Sequence, residues 1–109
     1  YLPAVLNLKT QHKIKTFEND ELSIIRFTQP INNYNENIVD VNFKLVITEK
    51  QTKTTTFCDE IHKMRYFSLP EINLFAKLNN FEVVKSEEFL TRKEPSENTW
   101  GICMVLRKK

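Results

Sequence analysis

Glycine is almost missing from this chain. Gly101 is the only one in 109 residues, where average usage would supply about seven or eight. A dinucleotide-binding G-x-G-x-x-G turn and a phosphate-cradling Walker loop each need several glycines, because backbone must come close to a phosphate there. Neither can be built from this sequence. Asparagine tolerates positive φ better than most residues, so the Asn-rich stretch Gln29-Pro30-Ile31-Asn32-Asn33-Tyr34-Asn35-Glu36-Asn37 can turn the chain without glycine. It reads as a loop.

The length is one domain's worth, enough to bury roughly two-thirds of the unfolded surface without disulfides. A net charge of +2 with 28% charged residues gives no strongly basic surface of the kind nucleic acid attracts. Lys9, Lys13 and Lys15 form a basic stripe beside His12, but Glu18, Asp20 and Glu21 follow at once and cancel it. No aromatic residues alternate with bases as single-strand binding requires. No segment has the h-region of a signal peptide or approaches the ~18 apolar residues of a membrane span. No membrane or nucleic-acid partner is therefore expected. Cys58 and Cys103 lie far apart in apolar-alternating runs. They read as buried free thiols in a reducing, cytoplasmic setting. With only His12 and His62 beside them, neither a structural zinc site nor a Ser-His-Asp constellation is expected.

The period-2 signal is strongest over Ile38–Glu49. There Val39, Val41, Phe43, Leu45 and Ile47 share one face, and Asp40, Asn42, Lys44 and Thr48 the other, the mark of a sheet with one wet side. His12–Phe17, Glu21–Thr28 and Thr54–Ser68 complete an antiparallel meander over residues 9–67, with Lys50–Lys53 as the turn before its last strand. Ser68-Leu69-Pro70-Glu71 has the Ser-x-x-Glu spacing of a capping box and a proline suited to a first turn. Ile72, Phe75, Ala76 and Leu78 follow at helical spacing, so a helix over 69–79 is expected. Phe81–Leu90 reads as a strand, Thr91–Thr99 as a polar loop, and Trp100–Arg107 as a nearly all-apolar strand buried on both faces. Tyr1–Asn7 looks like a segment that docks on another element. The fold class is α+β: a meander of about four strands, one helix and a terminal two-strand hairpin. The divisions fall at residues 1–8, 9–67 and 68–109.

Arg65-Tyr66-Phe67-Ser68-Leu69-Pro70-Glu71-Ile72, then Leu74-Phe75, Asn80-Phe81-Glu82-Val83-Val84, Trp100 and Val105–Lys109 resemble the C-terminal end of class I S-adenosylmethionine (SAM)-dependent methyltransferases. That family has a helix near x-P-E-[IL]-x-x-L, then A-G-F-x-V, then a closing hairpin. Here Asn80 stands where the family has glycine, and asparagine can also take the left-handed cap. Asn37–Ile47 with Phe57–Tyr66 resembles the β-meander that small-molecule methyltransferases insert before that helix, ending in an H-x-M-R-Y-F-like strand. Tyr1-Leu2-Pro3-Ala4-Val5-Leu6 resembles the W-Y-x-P-A-V-L run after the fifth strand of the parallel sheet. The resemblance implies the C-terminal portion of a longer, Rossmann-like α/β enzyme that binds SAM and a small-molecule methyl acceptor. The Gly-rich turn and ribose-binding acid of the cofactor half are not in this sequence. The isolated chain is accordingly expected to hold no SAM and to be inactive alone.

The same resemblance singles out site candidates. His62 is the histidine on the strand that would roof an acceptor pocket, as general base or acceptor contact, or else a packed strand histidine. Arg65 and Tyr66 close that strand and could bind an acceptor, although an ion pair from Arg65 to Glu60 or Glu71 serves as well. Trp100 would line the pocket mouth or the core rim, and Tyr1 would lie near the cofactor loop. A stand-alone β-rich module for binding or homodimerisation through the meander, without catalysis, is the alternative.

Overall fold

The computed structural model describes residues 1–7 and 12–109. The basic-stripe residue Lys9 and the boundary between residues 8 and 9 lie outside them. The chain forms two compact units, Lys9–Met64 and Tyr1–Leu8 with Arg65–Lys109.

The Lys9–Met64 unit is a four-stranded sheet in the order β1-β2-β3-β4, with β1 at Lys13–Glu18, β2 at Leu22–Asn33, β3 at Ile38–Glu49 and β4 at Thr54–Arg65. Its turns are built without glycine. The Asn19 side chain accepts the N–H groups of Glu21 and Leu22 at 2.9 and 2.6 Å, an Asx-type turn between β1 and β2. Asn37 at φ 56° leads into β3, and Lys53 at φ 56° leads into β4.

The meander and its Lys50–Lys53 turn are as expected, but Gln29–Asn33 is not a loop. It continues β2, with Gln29 opposite Asn42, Pro30 opposite Val41 and Asn33 opposite Ile38. The composition reads as a loop because proline and asparagine disfavour strand interiors. Proline is tolerated here because β1 pairs with β2 only as far as Thr28. Beyond Thr28, β2 has a single described neighbour, and proline is at home on such an edge.

Register places Phe17, Arg26 and Phe43 on one face, with Arg26 diagonally between the two rings. The Arg26 guanidinium lies 5.7 Å from the Phe17 ring centroid and 5.3 Å from that of Phe43, a cation held between two π faces. The opposite face is open to solvent, as expected, but carries apolar side chains among its polar ones. Ile14, Phe27 and Ile31 stand there, 62, 41 and 48% exposed.

In the other unit, α1 spans Leu69–Leu78, β5 Phe81–Glu88 and β6 Ile102–Lys108, with β5 and β6 antiparallel. The capping box forms as the spacing requires. Ser68 Oγ accepts the Glu71 N–H at 3.3 Å, and Glu71 Oε2 accepts the Ser68 N–H at 3.3 Å. Asn80 ends the helix at φ 59°, the left-handed cap. The Tyr1 carbonyl accepts the Phe67 N–H at 2.9 Å, and the Leu2 N–H donates to the Trp100 carbonyl at 2.8 Å. The leading segment is thereby tied to both ends of this unit. Its buried residues are few: Leu2, Ala4, Tyr66 and Ala76, with Thr99 fully buried.

Two further expectations are corrected here. The terminal strand is not buried on both faces, since Val105 and Leu106 are 48 and 42% exposed. It has one described strand neighbour, β5, and sequence hydrophobicity records what a strand can bury, not what covers it. For the same reason Cys103, on that strand, is exposed and Cys58 half-buried, both as free thiols.

Candidate functional site

An open cleft of about 350 Å³ lies within the second unit, lined by Tyr1, Glu88, Phe89, Asn98, Thr99, Trp100 and Gly101. Three stretches distant in sequence meet there because β5 and β6 run antiparallel and the leading segment bonds to Trp100. The Phe89 N–H donates to the Gly101 carbonyl at 2.9 Å and extends the ladder to the cleft. The volume falls in the range of small-molecule sites.

Glu88 is the one acidic side chain lining the cleft. Thr91 Oγ1 donates to its Oε1 at 2.8 Å and Thr99 Oγ1 to its Oε2 at 2.7 Å. The Thr99 and Thr91 hydroxyls, and Lys93 at longer range, hold its carboxyl below the ordinary value of 4.5 against a smaller opposing effect of burial. The loop that supplies these donors is closed on itself. Thr99 Oγ1 accepts the Ser96 N–H at 3.0 Å, and Ser96 Oγ accepts the Asn98 N–H at 3.3 Å. Leu90 and Arg92 take left-handed φ values of 71° and 60° where the loop leaves β5.

Of the residues singled out in the sequence, Tyr1 and Trp100 come together in this cleft, 53 and 40% exposed. Arg65 and Tyr66 belong to the same unit but do not line it. Arg65 Nη2 lies 3.4 Å from Glu71 Oε1 and its guanidinium stacks 4.7 Å from the Phe67 ring centroid, while Tyr66 is buried. His62 belongs to the meander. Its Nε2 pairs with Glu60 at 3.1 Å and its ring meets Phe43 edge-on at 5.0 Å. Glu88 was not singled out in the sequence. Its partners lie three and eleven positions further on, and only the closure of the loop reveals them. Among the described residues no group of three His, Cys, Asp or Glu side chains could hold a metal ion, and no helix is long and apolar enough to cross a membrane.

No family profile and no curated protein matches the sequence. Solved structures do match its fold. The CcbJ methyltransferase from Streptomyces caelestis superposes with TM-score 0.64 at 16% identity, over 99% of this chain and 43% of its own. A S-adenosylmethionine-dependent methyltransferase from Clostridium acetobutylicum gives 0.65 at 13% identity, over 91% of this chain and 38% of its own. The SAM-bound amino pentose methyltransferase of calicheamicin biosynthesis from Micromonospora echinaspora gives 0.62 at 8% identity, over 79% and 35%. The likeness is one of fold, and the chain spans about two-fifths of the length of the structures it matches.

Proposed function

We propose that this chain is the C-terminal, acceptor-side part of a SAM-dependent methyltransferase that acts on a small molecule in the cytoplasm. The observation that carries the reading is the fold match along nearly the whole chain to methyltransferases more than twice as long. The cleft supports it, since its aromatic walls and single carboxylate suit a small polar acceptor.

The residues present do not fit SAM. A cofactor cradle needs backbone that a side chain would obstruct, and Gly101 is the chain's one glycine. A Cβ added there would meet Phe89 Cβ at 3.6 Å, an ordinary contact. The cofactor half is therefore assigned to chain beyond this sequence, and the contribution of these residues is acceptor binding.

Two measurements test the reading. The protein expressed from the whole reading frame, given methyl-labelled SAM and a panel of small amines and alcohols, should transfer label to some of them. The 109-residue chain alone should give no heat on titration with SAM. A micromolar SAM site on that chain would overturn the assignment.

A second reading is favoured by one observation, the apolar face of the meander. Phe57 and Ile61 on β4 are 77 and 65% exposed, which suits a β-rich module that pairs two copies. It predicts a homodimer and no transfer of label.

A further inference from the structure

We infer that the cleft takes the ammonium group of a cationic amine, held by Glu88 and faced by the Trp100 and Tyr1 rings. This rests on the reading that the cleft receives a small-molecule acceptor, and it names the acceptor's class.

The argument begins with what Glu88 lacks. Its two oxygens accept from the neutral hydroxyls of Thr91 and Thr99. The ion pairs among the described residues engage other carboxylates: Glu18, Glu60, Glu71, Glu82 and Glu87. Lys93 acts on Glu88 only at a distance. A carboxylate oxygen has acceptor sites for more than one donor, so each keeps room for a donor from a ligand. The hydroxyls fix the carboxylate in place without neutralising it.

The walls have the matching chemistry. Tyr1, Phe89 and Trp100 present π systems around the same cleft, and a cation near such faces is attracted by the ring quadrupole. An ammonium group would meet an anion on one side and aromatic faces on the others. A hydroxyl of the same size would gain neither charge term, and a carboxylate would be repelled by Glu88.

Trp100 is the chain's only tryptophan, so intrinsic fluorescence reports on the cleft directly. Titration at neutral pH with cyclohexylammonium should change the emission and saturate. Cyclohexanol and cyclohexanecarboxylate should bind at least about tenfold more weakly, from the loss of the charge-assisted and cation–π contributions. Glu88→Gln should narrow the gap between the ammonium and the alcohol to what the aromatic faces alone supply. Asn98→Lys keeps the backbone donation to Ser96 and places a cation in the cleft, so it should abolish ammonium binding with the far-ultraviolet dichroism unchanged. It decides the matter if Glu88→Gln fails to fold. Equal binding of ammonium and alcohol by the unaltered protein, or an ammonium preference that survives Asn98→Lys, overturns the inference. The methyltransferase reading fails separately. Label transferred to hydroxyl acceptors with no ammonium preference sinks this inference alone, whereas an ammonium preference in a protein that transfers no label supports the amine site and sinks only the transferase.

Discussion

The Thr99 hydroxyl stands between a backbone donor and a carboxylate: it accepts the Ser96 N–H at 3.0 Å and donates to Glu88 Oε2 at 2.7 Å. Thr99 is 1% exposed, so its proton and lone pair both work away from water. Thr99→Val preserves the shape and strands the Ser96 N–H and one Glu88 oxygen. Losing both bonds should lower stability, and urea denaturation should show the loss. Thr99→Ser should recover most of it. A valine variant as stable as the parent would contradict the role given to the hydroxyl.

Acid should weaken this network. Glu88 is lowered chiefly by the Thr99 hydroxyl and then by Thr91. Glu18 is lowered by its hydrogen bond to Lys50 and then by that charge, the Nζ standing 2.7 Å from Oε1. A carboxyl whose folded pKa lies below its unfolded value binds fewer protons folded than unfolded. Its stabilisation is present above the ordinary value of 4.5 and is lost as pH falls through the lower folded value. Melting temperature measured between pH 7 and pH 3 should fall on the acid side, and Glu18→Gln or Glu88→Gln should make that fall shallower. An acid limb of unchanged steepness in both variants would remove the two carboxylates as its source.

The legible parts of the fold were those whose physics is local. Ser68 and Glu71 bond across three positions, and Asn80 needs only its own φ to end a helix. The β3 alternation needs only its own period. What escaped depended on what lies beside a segment. Pro30 sits in a strand because β1 stops short of it, and nothing within Gln29–Asn33 records that. Cys103 and Val105 have the hydrophobicity of a buried strand without a cover over them. Within the cleft, Tyr1 and Trp100 were reached one at a time through the family pattern, while Glu88 becomes conspicuous only when Thr99 folds back onto it. Arg26 between Phe17 and Phe43 likewise needs three strands in register.

The start of α1 offers a cleaner cost. Ser68→Ala removes the acceptor for the Glu71 N–H and should destabilise by about 1 kcal/mol. Glu71→Ala removes the reciprocal bond and also leaves Arg65 without its 3.4 Å partner, so it should cost somewhat more. Arg65 is half-exposed and its pair contributes little by itself. Chemical denaturation of the two variants should therefore differ by less than the capping term. A Glu71→Ala loss several times that of Ser68→Ala would mean that the ion pair, not the cap, dominates.

Leu90 is the opportunity that the missing glycines leave behind. Its φ is 71° and its side chain is 85% exposed, so it carries left-handed strain without a packing return. That conformation costs a residue with a Cβ roughly 1–2 kcal/mol, and glycine gives back about 0.5–1 kcal/mol of it as backbone entropy. Leu90→Gly should stabilise the protein by about 0.5–1 kcal/mol, while Leu90→Ala, which keeps the Cβ, should not. The same exchange at Asn37 or Asn80 should gain less, because asparagine already tolerates this region. Guanidinium midpoints for the four variants set the order, and a destabilised Leu90→Gly would mean that the side chain packs on something the unit does not contain.

The meander's second face gives a prediction about assembly. The Thr48 and Thr55 hydroxyls meet at 3.1 Å across β3 and β4, which puts Thr55 on the Thr48 face, and alternation then brings Phe57 and Ile61 there. Register adds Ile14, Phe27 and Ile31 from β1 and β2. All five are more than 40% exposed, and an open apolar sheet face of this kind calls for a cover. A second copy of the chain offers the same face, and two sheets can stack through them about 10 Å apart. Light scattering at micromolar concentration should give a dimer, and Phe57→Asp with Ile61→Asp should give a monomer with unchanged far-ultraviolet dichroism. A parent protein that is monomeric across that range would leave the face to another part of a longer chain and remove the pairing of copies from the account.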